Sequence, residues 1–544
     1  MNPAFQPHEA EPGDIIPSSM ASYKQRNHTL PAANTTPHLR ATSPVWRLPP
    51  EIMGHIFELY LAKPPGSPHL LIATKGRRPH QLDGKSTRVL LSLVCNAWRD
   101  IIDNHPRLWS DVTIRLRRRK PFSSMTLSEE DSTGFQRSLE RIGGCLWALH
   151  LDFRSLSTSS CELAHTQSAG SPLSEVLRLS PQSLASLRFL HICGEERLTS
   201  LGSLTIPSVE SLFMERDCTM LTRSPGKQDV LDLPQLPGVK KVAFVDVDLI
   251  TLPPHFPWET LTHIYLESAT TAEALLSILQ SCPELQEASF QGGVTRSSLQ
   301  TQNNTQARGQ RTTLDRLSRV QFRNAPFHLD FTGISWPNLT RMQIQTSSPI
   351  LGWHDKNWPL FHSLTHLHIS SGWGSTGFSV PTLDRWCPHL THLVLNPSVP
   401  MDYTQLFRDL SFARPDHHFP HLEVLGVNME DTLLEPYGWA SDVGMFNLVD
   451  MVVSRCDQTT VHSRLGKLVL RINSRQWDAA RVNILFSPLG KFKESTDVVV
   501  IGKTRCRYHD ATFDGEFTEW ECDGLRELTE SFTHFRYSFT YENT

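Results

Sequence analysis

No Cys-x-x-Cys pair occurs in these 544 residues, and the ten cysteines stand far apart at positions 95, 145, 161, 193, 218, 282, 387, 456, 506 and 522. That spacing argues against a disulfide framework and favours reduced thiols in a cytosolic or nuclear protein. Charge of one sign is lacking too: 52 basic residues face 56 acidic ones. No global attraction to nucleic acid or to an anionic membrane follows from such a balance. No apolar run approaches the roughly 20 residues that cross a bilayer. The opening Met1-Asn2-Pro3-Ala4-Phe5-Gln6-Pro7 has neither the basic start nor the apolar run of a secretory leader. On this reading the sequons at Asn27, Asn34, Asn303 and Asn338 carry no glycan.

Catalytic signatures are also missing. Neither Gly-x-Ser-x-Gly nor His-Glu-x-x-His occurs. Gly372-Trp373-Gly374-Ser375-Thr376-Gly377 fits G-x-G-x-x-G after a strand. Yet Phe378-Ser379-Val380-Pro381 is not expected to open a helix, and no acidic residue follows where a ribose would need it. Gly84-Lys85-Ser86 has Pro79 where a phosphate loop needs glycine, and no apolar strand leads into it. His362, His366, His368, His389 and His392 crowd one region. Without a Cys or carboxylate at ligand spacing they are expected to be surface imidazoles, not a metal centre. Neither a catalytic set nor a cofactor is expected.

What is present is organised around Ser43 to Val112. Pro49 or Pro50 stands at the opening turn of a helix, and Glu51 lies where the helix dipole favours a carboxylate. Ile52, Ile56, Leu59 and Tyr60 recur at steps of three and four beside Phe57. A second apolar helix is predicted from about Thr87 to Ile102, carrying Leu90, Leu91, Val94, Trp98, Ile101 and Ile102. The ordered set Leu48-Pro49, Ile52 to Phe57, Val94-Cys95-Asn96-Ala97-Trp98-Arg99 and Leu108-Trp109 resembles an F-box, of the F-box-like variant abundant in fungi. An insertion rich in Pro, Gly, Lys and Arg interrupts it at Lys63 to Ser86. The resemblance implies that Leu48, Pro49, Ile52, Ile56, Phe57, Val94 and Trp98 bind a Skp-type adaptor or pack the segment that presents it. Leu48 and Pro49 are the sharper candidates, while Val94 and Trp98 can equally be core.

From Cys145 onward the pattern apolar-x-x-apolar-x-apolar recurs twelve times, from Leu146/Leu149/Leu151 to Leu465/Leu468/Leu470. The closest copies are 22 to 26 residues apart, within the roughly 20 to 29 of leucine-rich repeats. Proline stands two places ahead of the first apolar residue at Pro207, Pro237, Pro283, Pro337, Pro388 and Pro420, where it stops one segment and launches an extended one. Helix signals lie between the strands: a capping box at Thr270-Thr271-Ala272-Glu273, Leu173, Val176 and Leu177 after Ser171-Pro172, and Leu406, Phe407 and Leu410 after Asp402. Strand then helix, repeated, predicts an α/β protein: a helical F-box followed by an irregular leucine-rich-repeat solenoid, a horseshoe on a parallel sheet. The pattern resembles the irregular repeats that often follow an F-box. A meander or sandwich of unrelated strands remains the alternative fold.

The expected organisation is a disordered tail over 1–42, the F-box-like domain over 43–112, a connector over 113–143, the solenoid over 144–473 and an irregular cap over 474–544. Within each strand the residues between the apolar ones point away from the core. His263, Tyr265, Arg319, Gln321, Arg341, Gln343, His366, His368 and His392 are therefore the candidate face for a protein substrate. The F-box resemblance implies the substrate-recognition subunit of a Skp–cullin–F-box ubiquitin ligase, doing no chemistry itself and working with no cofactor, nucleic acid or membrane. The competing reading is a repeat scaffold that binds partners without a ligase role.

Overall fold

The computed structural model describes residues 48–61, 90–115, 129–152, 184–193, 205–215, 235–245, 247, 255–267, 272–291, 312–323, 334–346, 360–371, 379–397, 402–412, 418–429, 442–456, 464–472 and 497–502. The chain divides into two compact units, Met1–Met53 and Gly54–Thr544. The first is described from Leu48.

Helix α1 spans Pro50–Leu61. Proline costs nothing at its opening, where the N–H would have no helical partner. The Met53 N–H closes the first turn on the Pro49 carbonyl at 3.1 Å. Residues 90–94 are helical and α2 spans Asn96–Asn104. The single helix predicted from Thr87 to Ile102 is therefore broken at Cys95. This residue is extended (φ −164°, ψ 168°) and caps α2, its sulfur accepting from the Trp98 N–H at 3.4 Å. A 3₁₀ turn at Pro106–Trp109 leads into strand β1, Asp111–Arg115.

Where a connector was expected over 113–143, Glu129–Ile142 forms helix α3. Phe135, Leu139 and Ile142, at helical spacing, are buried in the core. The polar residues of its first turns hide that stripe from a sequence reading.

Among the described residues, thirteen further strands of the same sheet follow β1: β2 (Trp147–Asp152), β3 (Leu187–Cys193), β4 (Ser211–Glu215), β5 (Lys241–Val245), β6 (His263–Glu267) and β7 (Glu287–Gln291), then β8 (Arg319–Arg323), β9 (Arg341–Thr346), β10 (His366–Ser371), β11 (His392–Pro397), β12 (Val424–Met429), β13 (Lys467–Ile472) and β14 (Asp497–Gly502). They form one sheet of 14 strands whose spatial order is the chain order. Each pairing is parallel. The sheet thus runs past both ends of the span expected for the repeats.

Register keeps like with like. Leu149, Leu190, Leu212, Val242, Ile264, Ala288, Val320, Met342, Leu367, Leu393, Leu425 and Leu468 stand side by side on successive strands. All are buried. The first apolar positions are buried as well, from Leu187 to Leu465, with one exception. Leu146 is exposed, and Trp147 takes its place opposite Leu187, where the register shifts between Trp147 and Ala148.

A turn recurs ahead of the strands. The N–H of the first apolar residue reaches back three positions, as in Val239 to Leu236 (3.0 Å), Leu285 to Cys282 (3.2 Å), Leu364 to Phe361 (3.2 Å), Leu390 to Cys387 (3.2 Å) and Leu422 to Phe419 (3.1 Å). Recurring prolines sit second in four of these turns, at 237, 283, 388 and 420, where their fixed φ is pre-set, and His362 takes that place in the fifth. Gly238 follows one of them, and a Cβ there would run into the Pro207 carbonyl oxygen.

Helices α4 (Ala272–Ser281), α5 (Val380–Trp386), α6 (Tyr403–Leu410) and α7 (Asp442–Cys456) lie between strands. The α5 helix corrects the expectation that no helix opens there: the Ser379 hydroxyl accepts from the Thr382 N–H at 3.4 Å and Pro381 fits the first turn. Asp402 caps α6 through the Gln405 N–H at 2.9 Å.

The tail 1–42, the insertion 63–86, the helix signal at 171–177, the start of the capping box at 270–271, the glycine run 372–377 and most of the expected cap over 474–544 lie outside the described residues. No helix among the described residues is long and apolar enough to cross a membrane.

Candidate functional site

Two surfaces carry the candidate residues. On the first, α1 buries Met53 and Phe57 and leaves Ile52, Ile56 and Leu59 exposed. These three residues of the apolar stripe read from the sequence therefore point outward. Phe57, which is 3% exposed, packs edge-on against Trp98 with ring centroids 4.9 Å apart. Phe57 is thus internal packing, with Trp98 half-buried beside it. Two imidazoles and a guanidinium lie around the Glu58 carboxylate: His55 at 3.1 Å, His105 at 3.5 Å and Arg107 at 3.9 Å. Trp109 donates its indole N–H to the Ile102 carbonyl at 2.8 Å, and the Arg141 guanidinium lies 4.2 Å over its ring. Arg141 also reaches Asp103 at 3.1 Å, so α3 ties the end of this helical region to the start of the sheet.

Because the helix breaks at Cys95, Val94 is 58% exposed, and Leu90 and Leu93 are exposed with it. Leu48 and Pro49 of the first unit are exposed too. Leu59 and Leu93 were not among the predicted residues. Leu59 lay in the α1 stripe, whereas Leu93 lay outside the stripe of the single helix that the break replaces.

The second surface is the sheet face opposite the main core. Its centre row runs Phe213, Ala243, Tyr265, Ser289, Gln321, Gln343, His368 and Val394, in register on successive strands. All eight are buried. Tyr265, Gln321, Gln343 and His368 were expected on an accessible face; instead, in-register strands about 4.8 Å apart press same-row side chains against one another. Phe213, Ala243, Val245 and Tyr265 form a small apolar cluster with Phe189 against it. Further along, the Gln321 amide nitrogen donates to Ser289 Oγ at 2.8 Å, and its oxygen accepts from the Arg323 guanidinium at 2.9 Å.

The flanking row is the accessible part. His263, Arg319, Arg341, His366 and His392 are half-buried, and Arg319 pairs with Glu287 at 3.5 Å. The His366 and His392 rings stack at 4.0 Å, each Nδ1 held 2.8 Å from the hydroxyl of the preceding threonine. The Thr365 and Thr391 hydroxyls also lie within hydrogen-bond reach of the Thr340 and Thr365 carbonyls, at 3.1 and 3.0 Å. Burial first, then neighbouring positive charge, lowers the pKa of His263 to about 4 and of His366 to about 3. His368 falls to about 4, from burial and then Arg323. These imidazoles are neutral at pH 7, and His263 and His366 serve as uncharged hydrogen-bonding groups to the hydroxyls of Thr262 and Thr365.

No curated protein matches the chain. The family model described as F-box-like matches residues 45–115, which hold α1, α2, the 3₁₀ turn and β1, and this stretch is an F-box-like domain.

Proposed function

We propose that the chain is the substrate-recognition subunit of a Skp–cullin–F-box ubiquitin ligase. The observation that carries this reading is the F-box-like match over residues 45–115, whose described surface displays apolar side chains that no soluble helix needs outside: Ile56, Leu59, Leu90, Leu93 and Val94. Exposed apolar residues grouped in one short domain suit a protein partner, here a Skp-type adaptor. Leu48, Pro49 and Ile52, exposed in the first unit, are further candidates for contact with the adaptor. Phe57 and Trp98 act through packing.

In this reading the parallel sheet is an irregular leucine-rich-repeat solenoid that holds a protein substrate, its contact row being His263, Arg319, Arg341, His366 and His392. The chain performs no chemistry; it brings a substrate lysine near a charged ubiquitin-conjugating enzyme. It works in the cytoplasm or nucleus, without nucleic acid or membrane as partner.

The test is capture of a purified Skp-type adaptor by the full-length chain. Ile56→Asp and Leu48→Ala/Pro49→Ala should each weaken capture by about tenfold or more, while Arg319→Ala leaves it unchanged. A folded wild-type chain that captures no adaptor refutes the proposal. A captured adaptor with no substrate ubiquitinated by the reconstituted ligase favours the scaffold reading.

A further inference from the structure

The sheet face carries a second cluster, on β2, β3 and β4, that the proposed function does not use. Cys193 and Glu215 are register partners on adjacent parallel strands. His191 precedes Cys193 by two residues, so the period of a strand places all three side chains on one face. One ligand atom from each lies within 4.8 Å of the other two. Cys193 Sγ is 3.6 Å and His191 Nε2 3.9 Å from the same Glu215 oxygen, Oε2.

Zinc bonds of about 2.0–2.3 Å in a tetrahedron set neighbouring ligand atoms roughly 3.3–3.7 Å apart. Small side-chain rotations would close the three donors onto one ion. The ring of His191 is already oriented for it. Its Nδ1 meets His150 Nδ1 at 3.1 Å; with His150 accepting, the His191 proton sits on Nδ1 and the Nε2 lone pair is left for a metal. Phe213 packs on the His191 ring at 4.6 Å and Phe189 on His150 at 5.4 Å, and Cys193 is 2% exposed. One imidazole, one thiol and one carboxylate form a borderline-soft set, unsuited to calcium or magnesium, which take oxygen ligands.

We propose that His191, Cys193 and Glu215 bind one zinc-type divalent cation, with water in the fourth position and His150 as the positioning residue behind His191. On binding, the Cys193 S–H bond breaks, its proton goes to solvent and the sulfur electron pair forms the metal bond. Affinity therefore rises with pH. The ion would pin β3 to β4 on the face opposite the core. Cysteine spacing hid this set: its three donors come from two strands, and only their register unites them.

The metal-depleted full-length chain is titrated with Co²⁺, followed by Zn²⁺. The expected result is a thiolate-to-cobalt charge-transfer band in the near ultraviolet that saturates and is then displaced by Zn²⁺. Cys193→Ser removes the band. Glu215→Gln weakens Co²⁺ binding about tenfold or more, and His150→Ala weakens it by about 10- to 100-fold while keeping the band, as loss of an orienting partner should. His366→Ala/His392→Ala changes nothing. Absence of the band in the wild-type chain, or an undiminished band in Cys193→Ser, overturns the proposal. Should Cys193→Ser fail to fold, Glu215→Gln decides, since it keeps side-chain shape: unchanged Co²⁺ affinity refutes the site.

Discussion

His368 lies in the buried centre row, and burial, then the neighbouring Arg323, lowers its pKa to about 4 from the usual 6.5. The folded state therefore refuses a proton that the unfolded chain accepts. Its contribution to stability is complete above about pH 6.5 and is lost as the pH falls from there towards 4, amounting to about 3 kcal/mol at pH 4. Urea unfolding between pH 7 and pH 5 should show the folded state weakening, and His368→Gln should flatten that slope. An unchanged slope in the variant would mean that other groups set it. Arg455 makes the opposite compromise. It is 1% exposed, and burial lowers its pKa to about 9, so it stays charged at neutral pH. Its guanidinium donates to the carbonyls of Leu410 (2.6 Å), His418 (2.7 Å) and Phe419 (3.2 Å) and lies 4.0 Å over the Phe412 ring. Asp384 completes the clasp by accepting from the Phe419 N–H at 2.8 Å. Phe419 is held at φ 51°, a left-handed conformation costly for a bulky residue. Arg455→Met would strand three carbonyls and should cost about 3–5 kcal/mol of unfolding free energy by urea titration.

At the scale of the element, the turn before each strand is the unit that sets the strand's start. Gly238 stands where the Pro207 carbonyl leaves no room for a Cβ. Gly238→Ala should therefore cost about 1–3 kcal/mol, whereas Gly144→Ala, with nothing within 4 Å of the added Cβ, should leave the melting temperature near that of the wild type. Most of the strands were legible because each buries three apolar side chains at fixed spacing, and the prolines at 207, 237, 283, 337, 388 and 420 marked where each began. The turn itself was equally visible but went unread: Ile206, Leu236, Cys282, Trp336, Cys387 and Phe419 precede those prolines and are all buried. The break at Cys95 was not legible, since a continuous apolar stripe runs across it and only the extended backbone of one residue separates the two helices. The buried face was missed for a further reason. Alternation tells which side of a strand a residue takes, but only the neighbouring strands decide whether that side is open.

Across the whole sheet, every strand from β2 to β13 touches the one before it and the one after it in the chain. Cohesion is therefore passed between neighbours, and among the described residues each end strand pairs with one other strand. Stability in such an array is close to a sum of nearest-neighbour terms, so a cavity should be felt locally near an end and on both sides in the middle. Leu149 and Leu367 are equivalent register positions, both buried, on β2 and on β10. Leu149→Ala and Leu367→Ala should each remove about 2–5 kcal/mol of packing, yet with different reach. Hydrogen exchange read by mass spectrometry should show Leu149→Ala releasing the amides of β1 to β3 while β9 to β12 keep their protection. Leu367→Ala should loosen β9, β10 and β11 together. Were Leu149→Ala to lower protection evenly from β2 to β13, the sheet would unfold as one cooperative body, and the nearest-neighbour description would have to be abandoned.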